Sequence, residues 1–247
     1  MIDVSKYTNK TIEELRPPEN WRDRRKGDTS PVKYDTPVEY VIRKSKEISY
    51  VEICNVFKLI WRHNLKIEKP IIHPGNEIII REILKWISND QECKLERRKG
   101  VYLVGEYGSG KTQLMNSIKE TGKVINETHH QTFRKWLSVG YRGLKKASEE
   151  EFDGYMKFYN RFAICIDDLG YEEDAKTSRV NKMGTVSVVV QELVRSRYEL
   201  WQRTNAPTHF TSNKSIEEIR ELYGAGTSTR LQEMCHQLHW KGENLRN

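Results

Sequence analysis

Apolar residues in the larger, carboxyl-terminal part of the chain follow two alternating patterns. Short apolar runs at residues 100–104 and 162–166 are typical of buried strands, and residues 208–211 predict a third strand. Apolar residues recur at helical spacing before the first strand, after Asn76, and between the second and third strands, over residues 186–201. Because strands alternate with helices along the chain, the pattern predicts an α/β domain with a mostly parallel sheet.

Capping residues mark where several of these helices begin and end. Asn76 suits the cap of the helix that precedes the first predicted strand. Ser148 and Ser215 are each followed, three residues later, by the glutamate of a capping box. We therefore expect helices to start at these three positions, and Gly224 to end the helix that Ser215 opens.

The amino-terminal part of the chain follows neither pattern cleanly. Residues 1–35 are predicted to be a loosely structured arm, whose basic run at residues 22–28 is either a solvated linker or a contact to DNA phosphates. Residues 36–69 are richer in apolar and aromatic groups and favour a small module or a docking surface. We expect an amino-terminal arm and partner-docking module over residues 1–70, followed by the sheet domain over residues 71–247.

Composition narrows the class of protein. The chain has 247 residues, of which 36% are hydrophobic and 31% charged, and 42 Lys and Arg against 35 Asp and Glu give a net charge of +7. No stretch approaches the roughly 18 apolar residues that span a bilayer, and the amino end lacks the apolar core of a signal peptide. We expect a cytoplasmic protein without membrane contact, for which a polyanion is a reasonable partner.

The cysteines indicate neither a zinc ribbon nor a disulfide framework. They lie far apart, without a C-x-x-C pair and without a histidine nearby at ligand spacing. Free thiols in a reducing compartment are therefore expected at Cys54, Cys93, Cys165 and Cys235.

Residues 105–112 carry the clearest chemical signal. They match the pattern G-x-x-x-x-G-K-[ST] between a predicted buried strand and a helical run. The glycines let the backbone turn its N–H groups onto a β-phosphate, and the helix adds the positive end of its dipole. Lys111 offers a cation to the β- and γ-phosphates, and Thr112 offers a hydroxyl ligand for Mg²⁺. The predicted nucleotide-binding residues are Gly105, Glu106, Tyr107, Gly108, Ser109, Gly110, Lys111 and Thr112.

Two aspartates follow the second buried strand directly. A nucleotide–Mg²⁺ site needs an acid at the end of a neighbouring strand, so this strand is expected beside the one that leads to the glycine-rich loop. Asp167 is the predicted metal-site carboxylate, and Asp168 is placed to polarise the attacking water. Glu172 is a second candidate for the base.

Asn213 follows the third predicted strand. A polar amide at this edge of the sheet would sit between the acids and the γ-phosphate and hold the water in line. Ser212 and Asn213 also suit the beginning of a turn. The order of the three elements along the chain favours the functional interpretation.

These elements, in this order, resemble the AAA+ ATPases of the DnaC/DnaI helicase-loader type and their relative IstB, the transposition helper. The resemblance covers roughly residues 76–246. It implies a P-loop NTPase fold of the AAA+/ASCE kind, in which helices flank a parallel sheet, with a small amino-terminal extension. The segments that carry it are 99–112, 166–172, 197–198, 211–213, 222–224, 228–231 and 242–246.

The resemblance assigns a role to each motif residue. Lys111 and Thr112 match Walker A, Asp167 and Asp168 match Walker B, and Asn213 matches sensor 1. Many relatives have glutamate at the second Walker B position, so whether Asp168 or Glu172 is the base stays open.

Two arginines take their roles from the resemblance alone. Arg230 matches the arginine finger, which reaches the γ-phosphate bound by a neighbouring subunit and stabilises charge in the transition state. Without the resemblance, Arg230 would be interpreted as an ordinary arginine on a helix surface. Arg246 matches the sensor 2 position and is counted among the nucleotide-binding residues.

The implied function is that of an ATP- and Mg²⁺-dependent accessory ATPase of DNA replication in a prokaryotic cell or phage-infected host. Such a protein forms a homo-oligomer on single-stranded DNA and delivers a replicative helicase, and assembly or DNA stimulates its hydrolysis. Cations mixed with aromatic residues between the Walker motifs suit DNA binding, although a solvated helix explains them as well. The candidate DNA contacts are His129, His130, Arg134, Lys135, Trp136, Tyr141, Arg142, Lys145 and Lys146.

Three other functions use the same nucleotide site. An IstB-like ATPase would help a transposase select target DNA. A P-loop small-molecule kinase would need an arginine-rich lid, and none is evident between Asp168 and Asn213. A nucleotide-gated binding module would turn over little ATP.

Overall fold

The computed structural model describes residues 50–65, 72–88, 90–125, 135–138, 149–160, 163–170 and 186–242. The strands in this part of the chain are β1 (Gly100–Gly105), β2 (Lys135–Ser138), β3 (Ile164–Leu169), β4 (Thr208–Ser212) and β5 (Cys235–Trp240). The helices are α1 (Tyr50–Leu65), α2 (Pro74–Ser88), α3 (Lys111–Ile125), α4 (Glu149–Tyr159), α5 (Val186–Thr204), α6 (Ile216–Tyr223) and α7 (Ala225–Met234).

The five strands form one parallel sheet in the order β2-β3-β4-β1-β5. Tyr102 of β1 is in register with Phe210 of β4 on one side and with Gln237 of β5 on the other. Since parallel strands all end at the same edge, the carboxyl ends of β1, β3 and β4 lie together. The predicted α/β architecture with a parallel sheet is confirmed.

The order of the strands corrects one expectation. The strand that carries the two aspartates, β3, was expected beside β1, but β4 lies between β1 and β3. Ser212 of β4 is in register with Val104 of β1 and with Leu169 of β3. All five residues of β4 are buried, and an interior position with pairing on both edges satisfies such a strand. Sequence order alone contains no signal for this insertion.

Two hydrophobic cores lie on the two faces of the sheet, and β1 contributes to both. Tyr102 and Val104 pack in the core that also contains residues of α4, α5, α6 and α7. Val101 and Leu103 pack in the core that contains residues of α1, α2 and α3. This alternation follows from the two-residue period of a strand, and it explains why the β1 sequence is apolar throughout. The helices flank the sheet as predicted.

Helix α1 belongs to the second of these cores. Ile53, Phe57 and Trp61 recur every fourth residue and are buried along one face of the helix. Asn64 also donates its Nδ2–H to the Ser117 hydroxyl of α3, at 3.0 Å. We therefore propose counting α1 with the sheet domain rather than with the amino-terminal module that the sequence analysis ended at residue 70.

Helix ends follow the predicted signals in one case and depart from them in another. The capping box at Ser215 is confirmed, because Glu218 N–H donates to Ser215 Oγ and Ser215 N–H donates to the Glu218 carboxylate. Gly224 ends that helix as predicted, with a φ of 85°. Helix α2, however, begins at Pro74, so Asn76 lies inside its first turn instead of capping it. Ser148 lies outside the described residues.

Residues 186–201 are helical as predicted, in α5. None of the helices within the described ranges is long and apolar enough to cross a lipid bilayer. All four cysteines are free thiols, and Cys165 and Cys235 are buried in the sheet.

Candidate nucleotide-binding site

The glycine-rich loop joins the end of β1 to the start of α3. Gly108 and Gly110 have φ angles of 69° and 91°, a backbone region that is costly for residues with a side chain. The Glu106 carbonyl accepts hydrogen bonds from both Ser109 N–H, at 3.3 Å, and Ser109 Oγ, at 2.7 Å. The loop is therefore closed on itself, and the first turn of α3 follows with Leu114 N–H donating to Gly110 O.

Lys111, the first residue of α3, places its ammonium against the loop. The residue is buried, and Nζ donates to the carbonyl oxygens of Gly105 and Glu106, at 2.8 Å each. The Lys111 ammonium therefore lies over the glycine-rich loop, close to the N–H groups in the first turn of α3.

Thr112 and Asp167 meet although their elements are separated by β4. Thr112 Oγ1 lies 3.1 Å from Asp167 Oδ1 and 3.4 Å from Oδ2, and donates to this carboxylate. Asp167 is 6% exposed at the carboxyl end of β3. The hydroxyl and carboxylate oxygens predicted to serve one metal ion are thus brought together at the base of the loop.

Thr211 links the two aspartates, and its role was not found from the sequence. The residue is fully buried in β4, where its hydroxyl donates to Asp167 Oδ1 and accepts a hydrogen bond from Asp168 N–H at 3.0 Å. The strand that separates β1 from β3 therefore carries a polar group at the point where it passes the carboxylate. The available signal was a hydroxyl residue near the end of a fully buried strand.

The electrostatics of Asp167 suit a bound cation. Burial raises the pKa of this carboxyl group above its ordinary value, while the hydrogen bonds from Thr211 and Thr112 and the charge of Lys111 act in the opposite direction. A positive ion beside the carboxylate would offset the cost of burying its charge. Hydroxyl and carboxylate oxygens are ligands that Mg²⁺ accepts, with phosphate oxygens and water completing its shell, so the residues present fit this ion.

Asp168 differs from its neighbour in exposure and backbone. The residue is exposed and has a φ of 58°, in the left-handed region that aspartate tolerates better than most side chains. Its N–H is held by the Thr211 hydroxyl. The register of β3 against β4 shifts between Ile166 and Leu169, so the chain bulges where the two aspartates lie.

Asn213 and Arg230 lie in different parts of the domain. Asn213 is half-buried and follows directly after Ser212, which is in register with Val104, so it stands at the same sheet edge as the loop. Arg230 is half-buried on α7, with its guanidinium carbon 5.9 Å from the centre of the Tyr198 ring. This distance is typical of a cation–π contact.

Several predicted site residues lie outside the described part of the chain. These are Glu172, Arg246 and the candidate DNA contacts His129, His130, Arg134, Tyr141, Arg142, Lys145 and Lys146. Lys135 and Trp136 lie on β2, in register with Ile164 and Cys165 of β3. The alternative interpretation, which placed these two residues on a solvated helix, is therefore wrong for them.

Comparison with known proteins identifies the fold. No family model matches the chain, and no curated protein matches its sequence. Similar solved structures include the DnaC helicase loader, which is 20% identical and superposes with a TM-score of 0.51 over 74% of this chain and 99% of that chain. Another is DnaI, which is 21% identical with a TM-score of 0.48 over 76% of this chain and 93% of that chain.

The fold likeness to DnaC agrees with the architecture built from the sequence. A parallel sheet is flanked by helices on both faces, and the glycine-rich loop lies between β1 and α3. The resemblance inferred from the motifs is confirmed as a likeness of fold. The chain therefore has a P-loop NTPase fold, which it shares with the DnaC helicase loader.

Proposed function

We propose that the protein is an ATPase that binds MgATP at the loop before α3. The observation that carries this proposal is the meeting of Thr112 and Asp167 at 3.1 Å beside Lys111. A hydroxyl and an ammonium from the first turn of α3 converge there with a carboxylate from β3. Such convergence has no evident use in stabilising the fold, because it buries a carboxylate whose ionised form is disfavoured by burial.

The loop residues would bind the triphosphate. Lys111 Nζ would exchange its bonds to the Gly105 and Glu106 carbonyls for bonds to the β- and γ-phosphates. The N–H groups of residues 107–112 would donate to the β-phosphate, helped by the dipole of α3. Charge-assisted hydrogen bonds of this kind are about twice as strong as neutral ones. Arg246 is proposed as a further contact to the nucleotide.

Thr112 and Asp167 would hold the metal ion, Thr112 directly and Asp167 by orienting its water ligands. Bound Mg²⁺ would neutralise charge on the β- and γ-phosphate oxygens. Thr211 would keep Asp167 in place through its own hydrogen bond to the carboxylate.

Hydrolysis would depend on groups at the end of β3 and β4. Asp168 is exposed next to the metal-site carboxylate, and we propose it as the base that polarises the attacking water, with Glu172 as the alternative. Asn213, at the same edge of the sheet, would orient that water. Arg230 would reach the γ-phosphate bound by a second copy of the chain, so that hydrolysis would require a homo-oligomer.

We further propose that this ATPase serves DNA replication as a helicase loader, acting in the cytoplasm on single-stranded DNA. The fold shared with the DnaC helicase loader and the net charge of +7 support this assignment. The partner would be a replicative helicase, bound through the amino-terminal region. Pull-down of a transposase instead of a helicase would assign the protein to transposition.

Measurement of ATP hydrolysis tests the proposal. We expect Mg²⁺-dependent release of phosphate that rises when single-stranded DNA is added. Lys111→Ala should weaken ATP binding about 10- to 100-fold, because it removes a charged donor to the phosphates. Lys119→Ala is the matched control, since this lysine lies about two turns further along the same helix and contacts Glu120 and Asn116. Equal loss in both variants, or no turnover by the wild-type protein, would refute the proposed activity.

A further inference from the structure

Trp240, the last residue of β5, contacts the glycine-rich loop through its indole. Trp240 is buried, and its Nε1–H donates to the Ser109 carbonyl oxygen at 2.8 Å. The N–H and Oγ of Ser109 are already bound to the Glu106 carbonyl, within the loop. The Ser109 carbonyl is therefore fixed from outside the loop, by a residue 131 positions further along the chain.

The hydrogen bond from Trp240 to the Ser109 carbonyl also sets the direction of the Gly110 N–H. The Ser109 carbonyl and the Gly110 N–H belong to one planar trans peptide, so they point to opposite sides. Holding the carbonyl toward Trp240 therefore turns the Gly110 N–H away from it. Gly110 has a φ of 91°, and glycine passes between backbone conformations at little cost. The loop itself consequently offers little resistance to rotation of this peptide.

The backbone around Trp240 is itself anchored on both sides. Asn76, buried in the first turn of α2, accepts a hydrogen bond from Lys241 N–H at 2.8 Å and donates its Nδ2–H to the Lys241 carbonyl. On the other side, a Cβ on Gly105 would lie only 2.2 Å from the Trp240 carbonyl oxygen, so β1 and β5 approach closely only because this residue is glycine. The indole is thus presented to the loop from a rigid position.

We propose that Trp240 is a positioning residue for nucleotide binding, whose indole holds the Ser109–Gly110 peptide so that the Gly110 N–H faces the phosphates. This inference rests on the proposed function, because it takes the loop as the triphosphate site. Asn76 supports it indirectly by fixing Lys241. The helix-capping role predicted for Asn76 is thereby replaced by an anchoring role across the sheet.

The chain contains a matched control for this proposal. Trp201 on α5 is buried to the same degree, 7% exposed against 6% for Trp240, and its Nε1–H also donates to a backbone carbonyl, that of Arg98, at 2.6 Å. It packs in the core on the other face of the sheet. Trp240→Phe and Trp201→Phe therefore each remove one indole donor and leave one carbonyl without its partner.

Calorimetric titration with a non-hydrolysable ATP analogue and Mg²⁺ separates the two variants. Both should unfold at lower urea concentrations than the wild-type protein, by similar amounts. Only Trp240→Phe should raise the dissociation constant, about tenfold, the usual scale for losing one hydrogen bond and leaving its acceptor unpaired. Wild-type affinity in Trp240→Phe, or equal weakening in Trp201→Phe, would overturn the positioning role.

A second measurement does not depend on nucleotide binding. Backbone mobility at the Gly110 amide, followed by ¹⁵N NMR relaxation without nucleotide, should be greater in Trp240→Phe and unchanged in Trp201→Phe, because only the first variant releases the Ser109 carbonyl. Unchanged mobility in Trp240→Phe would overturn the inference even if ATP binds. Failure of the wild-type protein to bind ATP would instead refute the proposed function, while the relaxation data would still report on the peptide. If Trp240→Phe does not fold, benzothienylalanine at position 240 replaces only the indole N–H by sulfur, with the same expectations.

Discussion

A single hydroxyl on β4, that of Thr211, contacts both aspartates of the candidate site. Asp167 and Asp168 are adjacent in the chain but lie in different environments, one buried and one exposed. Thr211 binds the side chain of the first and the backbone of the second. Because both contacts use one oxygen, this residue fixes the position of the metal-site carboxylate relative to the backbone of the proposed base.

Thr211→Val tests this role, since valine keeps the shape of threonine and removes the hydroxyl. We expect the free energy of unfolding to fall by about 1–3 kcal/mol, because the Asp168 amide loses its acceptor and the buried Asp167 carboxylate loses a donor. The rate of ATP hydrolysis should fall roughly 10- to 100-fold, because the base and the metal ligand are no longer held together. Urea unfolding and a steady-state ATPase assay measure the two effects.

Thr211→Ser is the control for that experiment. Serine retains the hydroxyl and loses a methyl group, so its ATPase rate should stay close to that of the wild-type protein. An ATPase rate in Thr211→Val equal to that in Thr211→Ser would show that the hydroxyl has no role beyond packing.

At the scale of the elements, β4 contributes a buried imidazole as well as the hydroxyl. His209 Nδ1 accepts a hydrogen bond from Val101 N–H of β1, at 3.2 Å, and its ring meets Trp86 of α2 edge to face. Burial, with a smaller contribution from the Arg197 charge, lowers the pKa of His209 from 6.5 to about 3. The folded protein therefore keeps this imidazole neutral.

The neutral His209 makes stability depend on pH in a defined direction. Between pH 6.5 and about 3 the unfolded chain binds a proton that the folded chain does not, so stability falls as pH falls. The slope from this group approaches about 1.4 kcal/mol per pH unit. His236, whose pKa burial also lowers, adds a contribution of the same sign. Urea unfolding at several pH values should show a smaller slope in His209→Asn, and an unchanged slope would contradict this assignment.

The helices and strands also differ in how far they could be predicted from the sequence. The capping box at Ser215 was predictable because its partner, Glu218, lies three residues away. The role of Asn76 was not, because its partner is the backbone of Lys241, 165 residues further along. Strands and helices were likewise visible as local periods, whereas the place of β4 between β1 and β3 depends on long-range packing.

Some residues of the candidate site could likewise be predicted from the sequence, and others could not. Lys111, Thr112 and Asp167 were predicted from motifs in which chemistry and spacing occur together. Thr211 and Trp240 act through hydrogen bonds to residues that are distant in the chain, so no local pattern distinguishes them from ordinary buried residues.

At the scale of the whole molecule, the proposed mechanism needs more than one copy of the chain. Arg230 lies against Tyr198 on the surface formed by α5 and α7. If it serves the nucleotide of a neighbour, Arg230→Ala should retain ATP binding and lose roughly 1,000-fold in hydrolysis. The rate per protomer of the wild-type protein should also rise with protein concentration, because assembly completes the site.

Mixing two inactive variants tests this arrangement directly. Lys111→Ala protomers retain Arg230, and Arg230→Ala protomers retain the loop, so a mixture should recover part of the ATPase activity at hybrid interfaces. A mixture no more active than the average of its components, measured at a concentration where the wild-type rate is maximal, would contradict hydrolysis in trans.

The central claim is that the loop before α3 and the carboxylate of Asp167 form one MgATP site. Calorimetric titration with ATP, with and without Mg²⁺, tests it most directly in the wild-type protein, in Asp167→Asn and in the control Asp153→Asn, which changes an exposed acid on α4. We expect Mg²⁺ to tighten ATP binding at least about tenfold in the wild-type protein and the control, and not in Asp167→Asn. The same Mg²⁺ dependence in all three proteins, or no ATP binding by the wild-type protein, would contradict it.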